Sequence, residues 1–436
     1  MSKSLTRNVF FRLFIFILFF TAIPQITLAS VVDELKEKIG ERSGEIEKLE
    51  SEIKEFETQI EHVGNEAETL KGAIQTLNIT DKKLGTDIRV TKQKTTATAL
   101  EIEKLGIEII EREEKIEQNG DALGEVIRNI NELSSRSLVE ILLSNVSFAT
   151  FWGSLESLER FQARVRTNLK ELQSIKSDLE NKKGRSESEK KNLLVLTAQL
   201  ADQKVIVEEN KKTKSRLLAE TQNKESSYKM LLEDRLAQKE ALEQEIQEFE
   251  ARIRIEIDPA SLPETKTGVL RWPLDTVTIT QYFGNTPFAS QNSQVYNGRG
   301  HNGIDLRASI GTPIKAAAGG IVSGIGDTDK ECYKVSYGKW VLINHQNGLS
   351  TLYAHLSLAR VALGTQVEMG GVLGYSGNTG YSTGPHLHFA VFATKAITVS
   401  DRNTNPYKSK ICGTFLTLPL VALNGYLNPL SYLPTL

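Results

Sequence analysis

From Val31 to about Leu133 apolar residues recur every seven positions. One seam runs Ile39, Ile46, Ile53, Ile60, Ala67, Ile74, and a second runs Leu49, Phe56, Val63, Leu70, Leu77, Leu84, with Glu and Lys between them. Sustained apolar a and d positions separated by charges specify a coiled coil, a period that no strand can use. About 100 helical residues reach about 150 Å. Asp81, Thr91, Thr95 and Thr98 interrupt the seams, the place where such a rod is loosest and where a hinge is expected. The pattern breaks over 134–160, which is apolar and Ser-rich, and then Leu155, Leu158, Phe161, Val165, Leu169 and Leu172 resume a helical period. The second arm runs to about Ile257, with Lys183-Gly184-Arg185-Ser186 as a weak point. Two long arms around an interruption predict an antiparallel hairpin over 31–257 with its tip near 134–160. The tip residues either dock a partner or close into a small helical cap.

Residues 1–29 read as a secretory signal. Lys3, Arg7 and Arg12 precede the apolar run from Leu13 to Phe20, and Thr27-Leu28-Ala29 offers small residues for cleavage. An uncleaved anchor is the alternative, but the run is short for a span and Pro24 follows it. Either way the rest of the chain is expected to be exported, to the periplasm or the extracellular cell wall. A net charge of −2 over 436 residues gives no basic field for nucleic acid.

Pro259, Pro263 and Gly268 stop the helix and mark a linker over 258–267. Beyond it, short β-like runs such as Val277-Thr278-Ile279-Thr280, Val341-Leu342-Ile343 and Gly371-Val372-Leu373 alternate with dense glycine. Asn344 to Gly348 reads as a hairpin turn carrying His345. The expected class is therefore α plus β and multidomain: a long antiparallel helical coiled coil followed by a small all-β sandwich over 268–436.

The chemistry concentrates in that last part. Four of the six histidines lie in Gly300-His301-Asn302-Gly303-Ile304-Asp305, in Tyr353-Ala354-His355 and in His386-Leu387-His388. Imidazole nitrogen and carboxylate oxygen are the donors of a catalytic zinc, which takes three from protein and leaves one position open. His386-Leu387-His388 leads into an apolar run that reads as a strand, so both rings face one way. If Leu349 to His355 is also extended, His355 projects on the Thr351/Tyr353 face. Gly303 lets the backbone come close to a metal or a substrate.

These motifs resemble the lysostaphin-like, LytM-type zinc metallopeptidases that cut peptidoglycan cross-links. The matching pattern is His301-x-x-x-Asp305, then Tyr353-Ala354-His355-Leu356, then His386-x-His388, flanked by Arg271-Trp272-Pro273-Leu274, Tyr282-Phe283-Gly284 and Gly374-Tyr375-Ser376-Gly377. The resemblance implies that His301, Asp305 and His388 hold Zn2+, and that His355 and His386 are the two catalytic, non-ligand histidines, with their roles undivided. It leaves His345 out of the site. The segment near 134–160 resembles the tip of PcsB- and EnvC-like coiled coils of cell-wall hydrolases, which implies a membrane partner related to FtsX.

Cys332 and Cys412 are the only cysteines, and in an exported chain an even pair suggests one disulfide, two free thiols being the alternative. Both lie in stretches, Asp327–Gly338 and Thr394–Asn424, that depart from the usual family length. The function implied is a zinc metalloendopeptidase acting on peptidoglycan and controlled by its coiled coil in wall remodelling or division. The rival is a non-catalytic LytM-type activator of amidases, which the complete ligand set argues against.

Overall fold

The computed structural model describes residues 28–64, 69–134, 148–250, 268–284 and 300–436. The expected signal over 1–27, the centre of the expected tip at 135–147 and the 258–267 linker lie outside the described residues. No helix of the described residues is long and apolar enough to cross a membrane. The class expected from sequence holds: long helices precede an antiparallel all-β domain.

The heptad region is not one helix. Helix α1 (Leu28–Gly64) ends and α2 (Leu70–Ser134) begins within a few residues. Helix α3 (Phe148–Thr221) follows, and α4 (Glu225–Glu250) comes after a break at Gln222 and Asn223, whose φ values are 50° and 57°. Lys183 to Ser186 is continuous helix within α3. Contacts divide the chain into two units, the first formed by Met1–Glu47 with Lys92–Thr197. Within it α2 and α3 run antiparallel, for Arg112 pairs with Asp178 at 2.7 Å and Glu101 with Arg185 at 3.1 Å. Leu105 is fully buried there.

The second unit joins Lys48–Thr91 to Ala198–Leu436. Here α1 folds back on α2, with Phe56, Ile60 and Val63 against Ile79 and Glu52 paired to Arg89 at 2.8 Å. The polar interruption from Asp81 to Thr91 is unbroken helix, and several of its polar groups are bonded. Asn210 donates to the Leu77 carbonyl at 3.1 Å and to Asp81 at 2.9 Å, and Lys83 meets Asp87 at 3.1 Å. The heptad lapses because this stretch packs on the β domain rather than on helices alone. Leu84 and Ile206 close over Ile310 and Tyr375, and Glu57 accepts from Ser309.

The β domain is one coiled sheet. Its main path runs β1 (Ile279–Gln281), β2 (Ile304–Arg307), β9 (His386–Ala393), β6 (Leu349–Ala359), β5 (Lys339–His345), β4 (Gly320–Asp327) and β7 (Gln366–Val367). Strand β8 (Val372–Ser376) joins β6 to β3 (Pro313–Lys315), and β12 (Tyr426–Leu427) pairs with β9. Alternation sends Ile304, Leu306, Leu387, Phe389 and Val391 into one core and Leu352, Ala390 and Phe392 into another. His345 ends β5 rather than sitting in the turn, and its ring is held by Gly319 O at 3.0 Å and Thr351 Oγ1 at 2.8 Å, a structural role.

The chain's two additions meet. A short helix α5 (Thr328–Glu331) and the loop after it face a ribbon of β10 (Ile397–Val399) and β11 (Pro419–Val421). The Cys332–Cys412 disulfide joins them, with Cα atoms 5.7 Å apart. Against this pair lies α4: Leu242 is fully buried among Val335, Tyr407, Leu416, Leu418 and Leu420. Glu245 accepts from Lys410 N at 2.7 Å, and Glu250 accepts from Val421 N at 2.9 Å.

Candidate metal and catalytic site

Strands β2 and β9 are adjacent and antiparallel, and their register sets Asp305 opposite His388 and Arg307 opposite His386. Since Leu387 and Phe389 face the core, His386 and His388 face away from it with Asp305. His301 arrives from the residue run before β2, pinned by a bridge in which Gly284 and His301 exchange backbone bonds of 2.8 and 2.9 Å. The Tyr282 carbonyl lies 3.1 Å from His301 Nδ1, which leaves Nε2 to face the other donors.

Those donors converge. His301 Nε2 is 3.1 Å from His388 Nδ1 and 3.3 Å from Asp305 Oδ1, and His388 Nδ1 is 2.9 Å from the same oxygen. An ion about 2.0–2.1 Å from each of three tetrahedral donors requires them to stand about 3.3 Å apart. The three atoms therefore outline one face of such a tetrahedron, and both histidines are buried. Burial opposes ionisation of Asp305, but the neighbouring His386 charge and the hydrogen bonds from His301 and His388 outweigh it and hold the carboxyl well below its ordinary range. Burial likewise pushes His388 down.

His386 and His355 stand beside this set, with ring centroids 4.7 Å apart. His386 Nδ1 faces Gly384 O at 2.8 Å, and His355 Nδ1 faces Thr379 O at 2.8 Å. A carbonyl can only accept, so each Nδ1 carries the proton and each Nε2 is left as a base. His386 Nε2 is 3.6 Å from Asp305 Oδ1. Burial pushes His355 well below its ordinary range, and the neighbouring His386 and His388 act in the same direction.

His355 does not share the Thr351/Tyr353 face, as simple alternation predicts. A bulge in β6 shifts the register, with Val341 opposite Tyr353 but Lys339 opposite Leu356. Tyr353 and Leu356 then both enter the core, and His355, at φ 60°, turns to the opposite face with His386. The His355 amide leaves the ladder and donates to Tyr337 O at 2.9 Å.

All five residues line one cavity of about 2000 Å³. Its far wall is helical and includes Lys239, Glu243 and Glu250 of α4. Lys239 lies 4.6 Å over the Tyr381 ring and 3.2 Å from Glu243, whose Oε2 is covered and without a hydrogen-bond partner. Burial raises the Glu243 carboxyl. Asn302 and Tyr337 also line the cavity, bonded to each other at 3.1 Å. These helical and aromatic residues carry no motif; the one signal for them in the sequence is the unusual length of the two stretches that hold the cysteines.

Residues 299–402 match Peptidase family M23. Over 89 residues the chain is 48% identical to the DD-carboxypeptidase/endopeptidase Mpg of Neisseria meningitidis, covering 20% of this chain and 19% of that protein. Over 124 residues it is 36% identical to the peptidoglycan DD-endopeptidase ShyC of Vibrio cholerae, covering 28% and 27% respectively. The chain thus spans well under a third of the length of these relatives. Among solved structures, the catalytic domain of lysostaphin from Staphylococcus simulans is 32% identical, covers 27% of this chain and 81% of that one, and superposes with a TM-score of 0.23.

Proposed function

We propose, from the premise that residues 299–402 form an M23 peptidase domain, that this protein is a zinc-dependent endopeptidase cutting peptide cross-links of peptidoglycan. The carrying observation is the convergence of His301 Nε2, Asp305 Oδ1 and His388 Nδ1 to within 3.3 Å of one another beside two histidines whose Nδ1 atoms each face a backbone carbonyl. The names of the relatives, two of them peptidoglycan DD-endopeptidases, support the substrate class. Zinc held by the three donors supplies the Lewis acidity that makes water a competent nucleophile near neutral pH.

The chain's own residues do the rest. His386 Nε2, the free base nearest the donor set, takes the proton of the attacking water and returns it to the leaving amine. His355, with Nδ1 committed to Thr379 O, lines the same cavity and offers its Nε2 as a second base for the proton transfers. The cavity's helical wall supports control by the helices: α4 is seated by Leu242, Glu245 and Glu250 on the segments joined by the disulfide. Export through residues 1–29, a role in wall remodelling or division, and an FtsX-related membrane partner at the tip belong to this reading and rest on the sequence alone.

The test is digestion of purified peptidoglycan by the full chain, with and without chelator, and fragment identification by mass. Chelator and His388→Ala should each abolish cutting, the variant by losing zinc. If the zinc-loaded chain cuts nothing, even when α4 is loosened by Leu242→Ala, the amidase-activator reading replaces this one.

A further inference from the structure

Beside His355 the cavity wall carries an ammonium that pairs with no carboxylate among the described residues. Lys334 lies in the loop after α5 and lines the same cavity as His301, Asp305 and His386. Its Nζ donates to the Asn378 carbonyl. The next carbonyl along the chain, that of Thr379, holds His355 Nδ1 at 2.8 Å. The ammonium is thus fixed one peptide unit from the support of a catalytic histidine. Its backbone lies in the left-handed region at φ 62°, where a residue with a long side chain is uncommon. Such conformations persist only where the surroundings enforce them, and they gather at ligand sites.

The charges around Lys334 do not balance. Arg216 and Arg235 stand 4.4 and 4.9 Å from the ring centroid of the adjacent Tyr333, and Arg235 lines the cavity as well. The other cations have acids of their own: Arg235 meets Glu220 at 2.6 Å, and Lys339 meets Asp327 at 3.8 Å and Glu209 at 3.9 Å. Asp329 favours the Lys334 charge, but both its oxygens are spent on backbone amides, Oδ1 on Lys334 N at 2.7 Å and Oδ2 on Gly380 N at 2.9 Å. An ammonium has three protons, and Asn378 O takes one, so two are left for an anion. An anion arriving there meets a cation already covered from water, where a charge-assisted hydrogen bond is strong. The substrate class supplies one. Where a peptide cross-link is made to a diamino acid with two carboxyl groups, the carbon that bears the acylated nitrogen also bears a free carboxylate.

We propose that Lys334 is a specificity-determining residue whose ammonium receives the free carboxylate beside the scissile nitrogen. The site then selects cross-links made through a dicarboxylic diamino acid over cross-links made through an amine that lacks this carboxylate. Lys334 is neither a metal donor nor a base of the hydrolysis, so it acts on substrate binding and leaves the chemical step alone. It belongs to the β domain's own loop and not to α4. The assignment rests on the peptidase reading above.

The experiment gives the full-length zinc-loaded chain two synthetic cross-linked peptides. They are identical except that the carboxylate beside the scissile nitrogen is free in one and a carboxamide in the other. KM and kcat are measured for each, and calorimetry on the His386→Ala chain reads the affinity for each without turnover. A hydrogen bond to a charged group is worth roughly 10–10²-fold in affinity. The parent should favour the acid by that factor in KM, with equal kcat. Lys334→Met should raise KM for the acid to the value for the amide, with kcat, zinc content and KM for the amide unchanged. Lys334→Gln, which keeps a donor for the Asn378 carbonyl, should lose the preference equally and serves if the Met variant does not fold. Lys334→Arg should keep a preference for the acid. Equal KM and equal affinity for acid and amide in the parent overturn this proposal alone, and so does a preference that survives in Lys334→Met or Lys334→Gln. A parent that neither cuts nor binds either peptide overturns the peptidase reading and this one together.

Discussion

Gly303→Ala is the smallest change that should dismantle the candidate metal site. A Cβ at Gly303 would stand 2.6 Å from Phe389 O and 2.8–2.9 Å from the His388 ring atoms Cε1 and Nε2. Ordinary contact begins at 3.4 Å, so the neighbours must withdraw by about 0.5–0.8 Å. Phe389 is held in β9 between Ile304 and Tyr353, and its carbonyl cannot retreat without opening a ladder. The His388 ring must therefore turn, carrying Nδ1 out of a donor set that tolerates about 0.2 Å. Overpacking of this kind costs about 1–3 kcal/mol. Misplacing a reacting group by about 1 Å costs about 10²-fold in rate. The expected result is a folded protein, its melting temperature lowered by a few degrees, with zinc affinity and turnover each down by an order of magnitude or more. Metal analysis after dialysis against a graded zinc buffer, with calorimetric melting, measures both. A variant that melts as before and keeps full zinc occupancy would refute the claim that the missing Cβ is what lets His388 reach its place.

Three further outcomes follow from the same geometry. His386→Ala and His355→Ala should keep zinc while turnover falls by about 10²–10⁴-fold, and near-normal rates in either would remove it from the mechanism. Leu242→Ala deletes a fully buried contact of α4, worth about 2–5 kcal/mol, and should speed hydrogen exchange along α4 and raise turnover of the full chain. Faster exchange with unchanged or lower turnover would make α4 a wall of the substrate site and not a restraint. Burial, with the charges of Arg235, Lys339 and Arg216, pushes the Lys334 ammonium down to about 8. Between that value and the ordinary lysine range the unfolded chain binds the proton that the folded chain has released, so stability should rise as pH rises through this window. The gain is on the order of 3 kcal/mol at most. Unfolding free energies at the two ends, for the parent and for Lys334→Met, check it: equal slopes in the two proteins would show that Lys334 titrates normally.

The local part of this protein was legible in its sequence because covalent geometry enforces it. Residues two apart on a strand share a face, so His386-Leu387-His388 declared two co-facing rings without any knowledge of partners. The heptads declared helices, and Gly303 marked a place where backbone must come close. Two cysteines in a chain read as exported declared their bond. What the sequence does not carry is the sum of contacts between distant segments. Strict alternation put His355 on the Tyr353 face, and only a β6 bulge, set by pairing with β5, turns it toward His386. The seams were read as one rod to Leu133, yet α1 ends at Gly64 and folds back on α2. Leu84 finds Ile310 and Tyr375 on the β domain, a third surface that no heptad count contains. Asn302 and Tyr337 are 35 residues apart and become neighbours through the sheet, and Glu250 reaches Tyr426 across 176 residues. Period and composition fix what a segment is, because those depend on a few consecutive dihedrals; which face meets which depends on packing free energies summed over the whole unit, and those exist only once the chain has closed on itself.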